Sequence, residues 1–257
     1  MNSTTPLSAE QIAAFETDGF LILPRLVSAI DCAGMVAITN QHLRDAVAPL
    51  EHESAVGYAG APTSLDSIGG RTARRLRDAY QRHASFREWA VNPLLTAMLA
   101  QLLGEQVCLT LAHHNCVMTK HPDFGTATGW HRDIRYWSFP RNALISVWLA
   151  LDEENENNGG LRLIPGSHRL DIQPTQMDDL DFLRPDVAEN QALFAQGFSL
   201  HLNPGDVVFF HSGLFHAAGR NNSQTIKESV VFAYHGISNA PLPGSRSAAA
   251  EDIVLGC

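Results

Sequence analysis

The stretch FSLHLNPGDVVFFHSGLFHAAGRNNS, residues 198–223, decides how the second half of the chain is read. Phe198, Leu200 and Leu202 alternate with polar residues, which places them on one face of a strand. Pro204-Gly205 is a turn signal, because proline presets one turn dihedral and glycine tolerates the other. The apolar run Val207–Phe210 then reads as a buried strand. It ends in a loop that carries two histidines, His211 and His216. The same period of two recurs on both sides, in QVCLTLAHHNCVMTK (106–120), NALISVWLALDE (142–153), GGLRLIPGSH (159–168) and SVVFAYHGIS (229–238).

The first half has a different period. SAEQIAAFETDGF (8–20) opens with a capping box, Ser8 with Gln11, and stops at Gly19. FLILP (20–24) is a short strand ended by Pro24. SAIDCAGMVAITNQHLRDAV (28–47) sets Ile30, Met35, Ile38, Leu43 and Val47 at helical spacing, as a core-facing stripe. SFREWAVNPLLTAMLAQLLGE (85–105) offers a second capping box, Ser85 with Glu88, before Trp89, Leu95, Met98, Leu99, Leu102 and Leu103. Helices followed by short antiparallel strands predict a mainly β, α+β chain: a sandwich or jelly-roll barrel with helices outside. The segment 171–197 breaks the strand rhythm and is acidic, with Asp178, Asp179 and Asp181. It reads as an inserted loop or lid.

Composition narrows the function classes. The chain has 257 residues, of which 45% are hydrophobic, enough to bury the core of one domain. Its formal net charge of -9 argues against a nucleic-acid partner. No window approaches a membrane span, and MNSTTPLSAE lacks an apolar signal core. Cys32, Cys108, Cys116 and Cys257 show no paired motif, which suits a reducing cytoplasm. Arg71, Arg74, Arg75 and Arg77 form a local basic cluster, either a solvated helix face or the mouth of a site for an anionic substrate.

The chemistry starts at GWHRDIRYWSF, residues 129–139. On a strand, His131 and Asp133 project to the same side and Arg132 to the other. Alone, the pair reads as a surface His–Asp contact. A barrel that brings the loop of His211 and His216 alongside adds a third donor. Two imidazoles and one carboxylate form the open facial site of non-haem Fe(II) oxygenases, whereas structural zinc wants four closed ligands, usually with cysteine.

The arrangement resembles the phytanoyl-CoA dioxygenase (PhyH-like) family of Fe(II)/2-oxoglutarate-dependent oxygenases over nearly the full chain. The resemblance rests on ETDGFLILPRLVS, HASFREWAVNPLLTAMLAQLLGEQV, WHRDIRYWSF, VWLALDEENENNGGLRLIPGSHR and NPGDVVFFHSGLFHAAGRNNS. It implies a double-stranded β-helix, jelly-roll or cupin-like core at about residues 105–238. A helical part at about 1–104, the lid at 171–197 and a tail at about 239–257 complete a single domain, 1–257. It implies that His131, Asp133 and His216 ligate iron, His216 being preferred over His211 because HAAGRNNS fits the family's distal segment. His211 is then an outer partner or a packed strand end. The implied cosubstrates are 2-oxoglutarate and O2, with succinate and CO2 as co-products. Asp133 stands where halogenating relatives carry Ala or Gly, which favours hydroxylation of a C–H bond.

One position departs from the family pattern. Eleven residues after the distal histidine the family places an arginine for the far carboxylate of 2-oxoglutarate; here it is Lys227. A lysine neutralises that carboxylate as a point charge without the two-pronged contact of a guanidinium. Ser223 could add a hydroxyl, and Arg220 is the alternative cation. Trp148 matches a family tryptophan near the cosubstrate, with core packing as its competing reading. Asn115 and Lys120 are candidates for the near carboxylate. His113 and His114 are consecutive, so only one is expected to face inward. Arg135, Tyr136 and Trp137 are candidate contacts to a small, anionic substrate, against the acidic lid. The rival functions are a non-catalytic cupin-like metal sensor and a zinc-dependent hydrolase or isomerase on a similar barrel.

Overall fold

Every residue of the strand Leu144–Ala150 is buried, so this strand has packed layers on both faces. The architecture follows from that. A computed structural model describes residues 7–256; residues 1–6 and Cys257, which entered the readings of the N-terminus and of the cysteines, lie outside the described residues. The chain opens with α1 (Ala9–Asp18), β1 (Phe20–Leu23) and α2 (Ala29–Arg44). Next come β2 (Leu50–His52), β3 (Ala73–Arg77), and the helices α3 (Ala79–Arg82), α4 (Ala84–Ala90) and α5 (Pro93–Leu103). The second half holds β4 (Val107–Lys120), β5 (Thr128–His131), β6 (Leu144–Ala150), β7 (Leu161–Leu163), α6 (Ala188–Phe194) and β8 (Phe198–Ser199). It closes with β9 (Val207–His211), β10 (His216–Ala218), β11 (Lys227–Gly236) and β12 (Ile253–Val254).

Two antiparallel sheets face each other as a jelly roll. The large sheet runs β1-β9-β6-β11-β4-β3-β2, with β12 beside β4; the small one runs β5-β10-β7-β8. The period of two sorts the residues of the central strands between two layers. Val147, Leu149, Val230, Phe232 and Tyr234 pack outward against Phe15, Met35, Phe86, Leu95 and Leu99 of the helices. Trp148, Ala150 and Val231 point between the sheets, against Leu161, Leu163, Leu200 and Leu202. Burying each such Leu, Val or Phe is worth about 1.5–3 kcal/mol, so the double layer fixes the register of β6 and β11. Gly205 has φ +90 in the turn before β9, and an added Cβ there would run into the carbonyl of Val27.

The capping box at Ser8 forms as expected, with Gly19 left-handed at the helix end. Four other expectations are corrected. The buried residues of α2 are Cys32, Met35 and Thr39; Ile38 and Leu43 pack against the core partly buried, and Ile30 is 83% exposed. Ser85 caps no helix; α4 starts at Ala84, and His83 Nδ1 accepts from the Ser85 N–H. The long helix is two, because Asn92 Oδ1 accepts from Leu94 and Leu95 N–H and Pro93 starts α5 afresh. The Arg71–Arg77 cluster is not helical. Its last three arginines lie on β3, which extends the large sheet through Arg75↔Met118 and Arg77↔Cys116. The residues after 238 also join the fold, since Ile253 and Val254 pair with Leu109 and Cys108.

Candidate active site

His131 ends β5 and His216 begins β10, and the antiparallel register sets them directly opposite each other. Such cross-strand pairs bring side chains close; here the ring centroids are 4.1 Å apart. Asp133 does not continue the strand. It starts a single 3-10 turn, Asp133–Tyr136. Arg132 between them is extended (φ -112, ψ 139), so the same-side relation of His131 and Asp133 survives the end of the strand. Arg132 points the other way, its guanidinium 5.0 Å from the ring of Phe215. Asp133 Oδ1 lies 3.4 Å from His216 Nε2 and 4.0 Å from His131 Nε2. One ligand atom from each of the three residues falls within 4.8 Å of the others.

Backbone carbonyls fix the tautomers. His131 Nδ1 lies 2.9 Å from Gly129 O and His216 Nδ1 lies 3.1 Å from Leu214 O. A carbonyl only accepts, so both Nδ1 atoms carry the proton and both Nε2 lone pairs face Asp133. Asp133 Oδ2 accepts from Ser146 Oγ at 2.6 Å, which orients the carboxylate. Burial depresses His131 well below the ordinary histidine value, helped by His216 and Arg135. Burial works to raise Asp133, but the His114 cation hydrogen-bonded to it outweighs this and holds the carboxyl well below the usual range. Neutral imidazoles and an ionised carboxylate are the protonation states a divalent metal needs. Open, with no thiolate among the three donors, the set suits Fe(II) better than a closed zinc site.

His114 contacts this group as well. Its Nε2 donates to Asp133 Oδ1 at 2.9 Å. Burial disfavours its charge, yet Asp133 raises it to about 9. The expectation that only one of His113 and His114 faces inward is corrected. β11 pairs Phe232 with Asn115 and the next residue, Ala233, with Thr110. The four residues between, 111–114, form a bulge that breaks the alternation, and both histidines line the cavity. His113 stacks on Trp137 at 5.0 Å and bonds Ser247 Oγ at 2.6 Å.

A cavity of about 330 Å³ opens over Asp133 and His131. Arg135, Tyr136 and Trp137 all line it. Strand parity does not place Arg135, since it sits on the 3-10 turn; its guanidinium lies 4.1 Å from the ring of Phe182 and donates to Leu180 O. Arg75, Arg77 and Arg246 add cations to the lining, against Glu51, Asp78 and Asp133. None of the acids of the segment 171–197 lines the cavity, and Asp178 Oδ1 accepts from Leu180 and Phe182 N–H in its own turn. This segment brings Phe182 edge-on to His131, with centroids 5.5 Å apart.

The other end of the barrel is polar and filled. Lys227 is buried, with Nζ 3.2 Å from Glu154 Oε2 and from Ser229 Oγ and 4.8 Å from the Trp148 ring centre. Trp148 Nε1 donates to Glu154 Oε1 at 2.8 Å. Lys120 pairs across β4–β11 with Lys227, and its Nζ donates to Thr126 O at 2.8 Å. Burial, with Arg74 and Lys227 nearby, pulls Lys120 well below the ordinary lysine value.

Other expected residues stand apart from the metal group. Ser223 Oγ donates to Asn221 Oδ1 within its own turn, and Arg220 is exposed beside Gly60. Asn115 Oδ1 accepts from Tyr80 N–H and so anchors α3, although the residue borders the cavity. His211 packs against His168, with centroids 5.1 Å apart. Arg74 and Arg75 are tied to Glu53 and Glu51, and Arg71 is exposed with Asp66. Sequence reasoning missed Glu154, Ser146 and Arg246, and named His114 only as one of two consecutive histidines without assigning it to Asp133. For Arg75 and Arg77 a signal existed, since the i, i+2 spacing in RRLR is a strand parity.

The sequence profile of the phytanoyl-CoA dioxygenase (PhyH) family matches residues 15–229. The chain is 26% identical to the peroxisomal phytanoyl-CoA dioxygenase of Rattus norvegicus over 96% of this chain and 73% of the relative. It is 28% identical to the ectoine dioxygenase of Bordetella bronchiseptica, over 92% and 78%. Among solved structures, EctD from S. alaskensis with 2-oxoglutarate and 5-hydroxyectoine superposes with a TM-score of 0.77 at 22% identity, covering 99% of this chain and 88% of that one. The epimerase SnoN from nogalamycin biosynthesis, described as non-haem and α-ketoglutarate-dependent, gives 0.72 at 22% identity, covering 96% and 92%.

Proposed function

Because the chain belongs to the phytanoyl-CoA dioxygenase family and is an Fe(II)- and 2-oxoglutarate-dependent oxygenase, we propose that it hydroxylates a C–H bond of a small anionic molecule. The observation that carries this reading is the join of two features in one cavity. His131 and Asp133 of the group of two histidines and one aspartate line it, and the guanidinium-bearing residues Arg77, Arg135 and Arg246 stand around them. Among the described residues no helix is long and apolar enough to cross a membrane. The neighbouring folds serve an epimerase as well as a dioxygenase, so the fold leaves the outcome open.

His131, Asp133 and His216 would hold the metal. The metal, with 2-oxoglutarate and O2, supplies the oxidising chemistry. The protein's own groups do the rest. Gly129 O and Leu214 O keep the Nε2 lone pairs aimed inward, and Ser146 steadies Asp133. Outer contacts of this kind typically contribute about 10–100-fold to metal affinity or activity. Arg135 neutralises an anionic group of the substrate, Trp137 and Tyr136 give it a flat wall, and Phe182 covers His131 and limits water. Lys227 is the cation proposed for the far carboxylate of 2-oxoglutarate.

The test is spectroscopic first. Fe(II) and 2-oxoglutarate added without oxygen should give the visible absorption of the chelate, and His131→Ala should abolish it. A panel of carboxylates and phosphates, scored by coupled succinate release, should then identify substrates. Coupling only to neutral or cationic molecules would defeat the anionic assignment.

A further inference from the structure

At the closed end of the barrel three donors converge on one carboxylate. Lys227 Nζ lies 3.2 Å from Glu154 Oε2, and Trp148 Nε1 lies 2.8 Å from Oε1. The Ser229 hydroxyl also donates to Oε1. An ammonium, an indole N–H and a hydroxyl are a complete seat for a carboxylate. The occupant is the protein's own residue. Glu154 has no solvent exposure, and an isolated bridge to Leu202 holds its backbone between the sheets. Lys227 and Trp148 are buried there with it. Lys227 Nζ also donates to Ser229 Oγ. Lys227 and Ser229 share a face of β11 with Ala233, whose register partner Ser146 donates to Asp133, so the seat and the metal group lie on the same side of the strand.

We propose that Glu154 is a resident counter-ion in the seat for the far carboxylate of 2-oxoglutarate, and that the cosubstrate must displace it from Lys227. This rests on the cosubstrate reading above. A buried, unpaired ammonium is strongly unfavourable, so Glu154 neutralises Lys227 until a second carboxylate arrives. The exchange weakens 2-oxoglutarate relative to a 2-oxo acid with no far carboxylate. Glu154 thereby sets how strongly the enzyme discriminates between dicarboxylic and monocarboxylic 2-oxo acids. The alternative cation, Arg220, is exposed beside Gly60 and makes no contact with Glu154, Trp148 or Ser229.

The test measures binding, not turnover. Anaerobic Fe(II)-protein is titrated with 2-oxoglutarate and with 2-oxobutyrate, by chelate absorption and by calorimetry. Glu154→Gln should tighten 2-oxoglutarate by about tenfold or more, the scale of removing one competing charge-assisted contact, and leave 2-oxobutyrate within twofold. If Glu154→Gln binds 2-oxoglutarate unchanged or more weakly, or tightens both acids alike, the proposal is overturned. Glu154→Ala gives a second reading, because 2-oxoglutarate should raise its melting temperature far more than 2-oxobutyrate does. Equal shifts overturn the proposal, as does an Arg220→Gln variant that alone loses the difference between the two acids. Absence of chelate absorption in the unsubstituted protein with either acid would defeat the cosubstrate reading itself, and the proposal with it.

Discussion

The two ends of the barrel are built from the same strands and prepared differently. At the metal end, His131 and His216 have one ring nitrogen satisfied and the other aimed at Asp133, so acceptor capacity is left over. At the closed end, Lys227, Trp148 and Ser229 spend their donors on Glu154. One end keeps lone pairs in reserve, and the other is neutral and complete. Buried polar groups are expensive unless paired. The exception at the metal end is therefore what a site for an incoming cation looks like.

The largest effect should come from emptying that exception. Asp133→Ala or His216→Ala should reduce Fe(II) affinity and 2-oxoglutarate consumption by more than about 100-fold, beyond the loss typical of an outer contact. His211→Ala should leave both nearly intact, since His211 packs on His168 outside the metal group. Iron titration of the three variants checks the ranking. Equal losses for His211 and His216 would break the contrast.

Next in size is a contrast between neighbours on β11. Lys227 faces the barrel and has Glu154; Glu228 faces the helices, is buried, and its Oε2 has no hydrogen-bond partner among the described residues. Burial and Asp152 push the Glu228 carboxyl up to about 8. The folded protein thus keeps this proton between roughly pH 4.5 and 8, where the unfolded chain has released it. Stability then falls as pH rises through that window. Glu228→Gln should remove the slope, adding about 4 kcal/mol at pH 8 and almost nothing at pH 4.5. Denaturant unfolding at the two pH values measures it. A substitution that destabilises equally at both would mean that the carboxylate has a partner.

How much of this was legible in the sequence depends on the kind of signal. Strand alternation and the Pro204-Gly205 turn gave the jelly roll, because burial on two faces leaves a direct mark on residue order. The group His131, Asp133 and His216 was legible through its flanking segments. His114 was not, since a four-residue bulge in β4 abolishes the parity that would have assigned it. Glu154 was hidden in DEENENNGG, where it looks like one more solvated acid; only the bridge to Leu202 turns it inward. The Arg74–Arg77 run was misread because long charged side chains suggest an exposed helix, while three acids, Glu51, Glu53 and Asp78, lie around this strand. The segment after residue 238 was read as a tail, but Ser247 accepts from the Ser138 N–H and Arg246 reaches the cavity.

That last contribution gives a smaller, specific effect. Arg135 and Arg246 reach the substrate cavity from different parts of the chain. Arg135→Gln should raise KM for an anionic substrate by about 10–100-fold, the cost of one charge-assisted contact of about 1.5–3 kcal/mol, with kcat less affected. Arg246→Gln should do the same to a lesser degree, because the residue is at the rim. Steady-state kinetics at two ionic strengths separates them: the rim charge loses its effect in high salt, and the partly enclosed one keeps it.

The smallest effect sharpens the comparison at the metal end itself. His114 donates to the same Asp133 oxygen that faces both metal-group histidines. It therefore draws on the acceptor capacity that the site otherwise holds in reserve. His114→Asn should change Fe(II) affinity by about tenfold, the low end of what an outer contact contributes, and should shift the chelate absorption, which a purely structural histidine would not do. His113→Asn is the control, since its ring is stacked on Trp137 and bonded to Ser247 rather than to Asp133. If both variants move the absorption alike, the bulge in β4 acts on the site only through the wall of the cavity, and the division between the open and filled ends rests on His131, Asp133 and His216 alone.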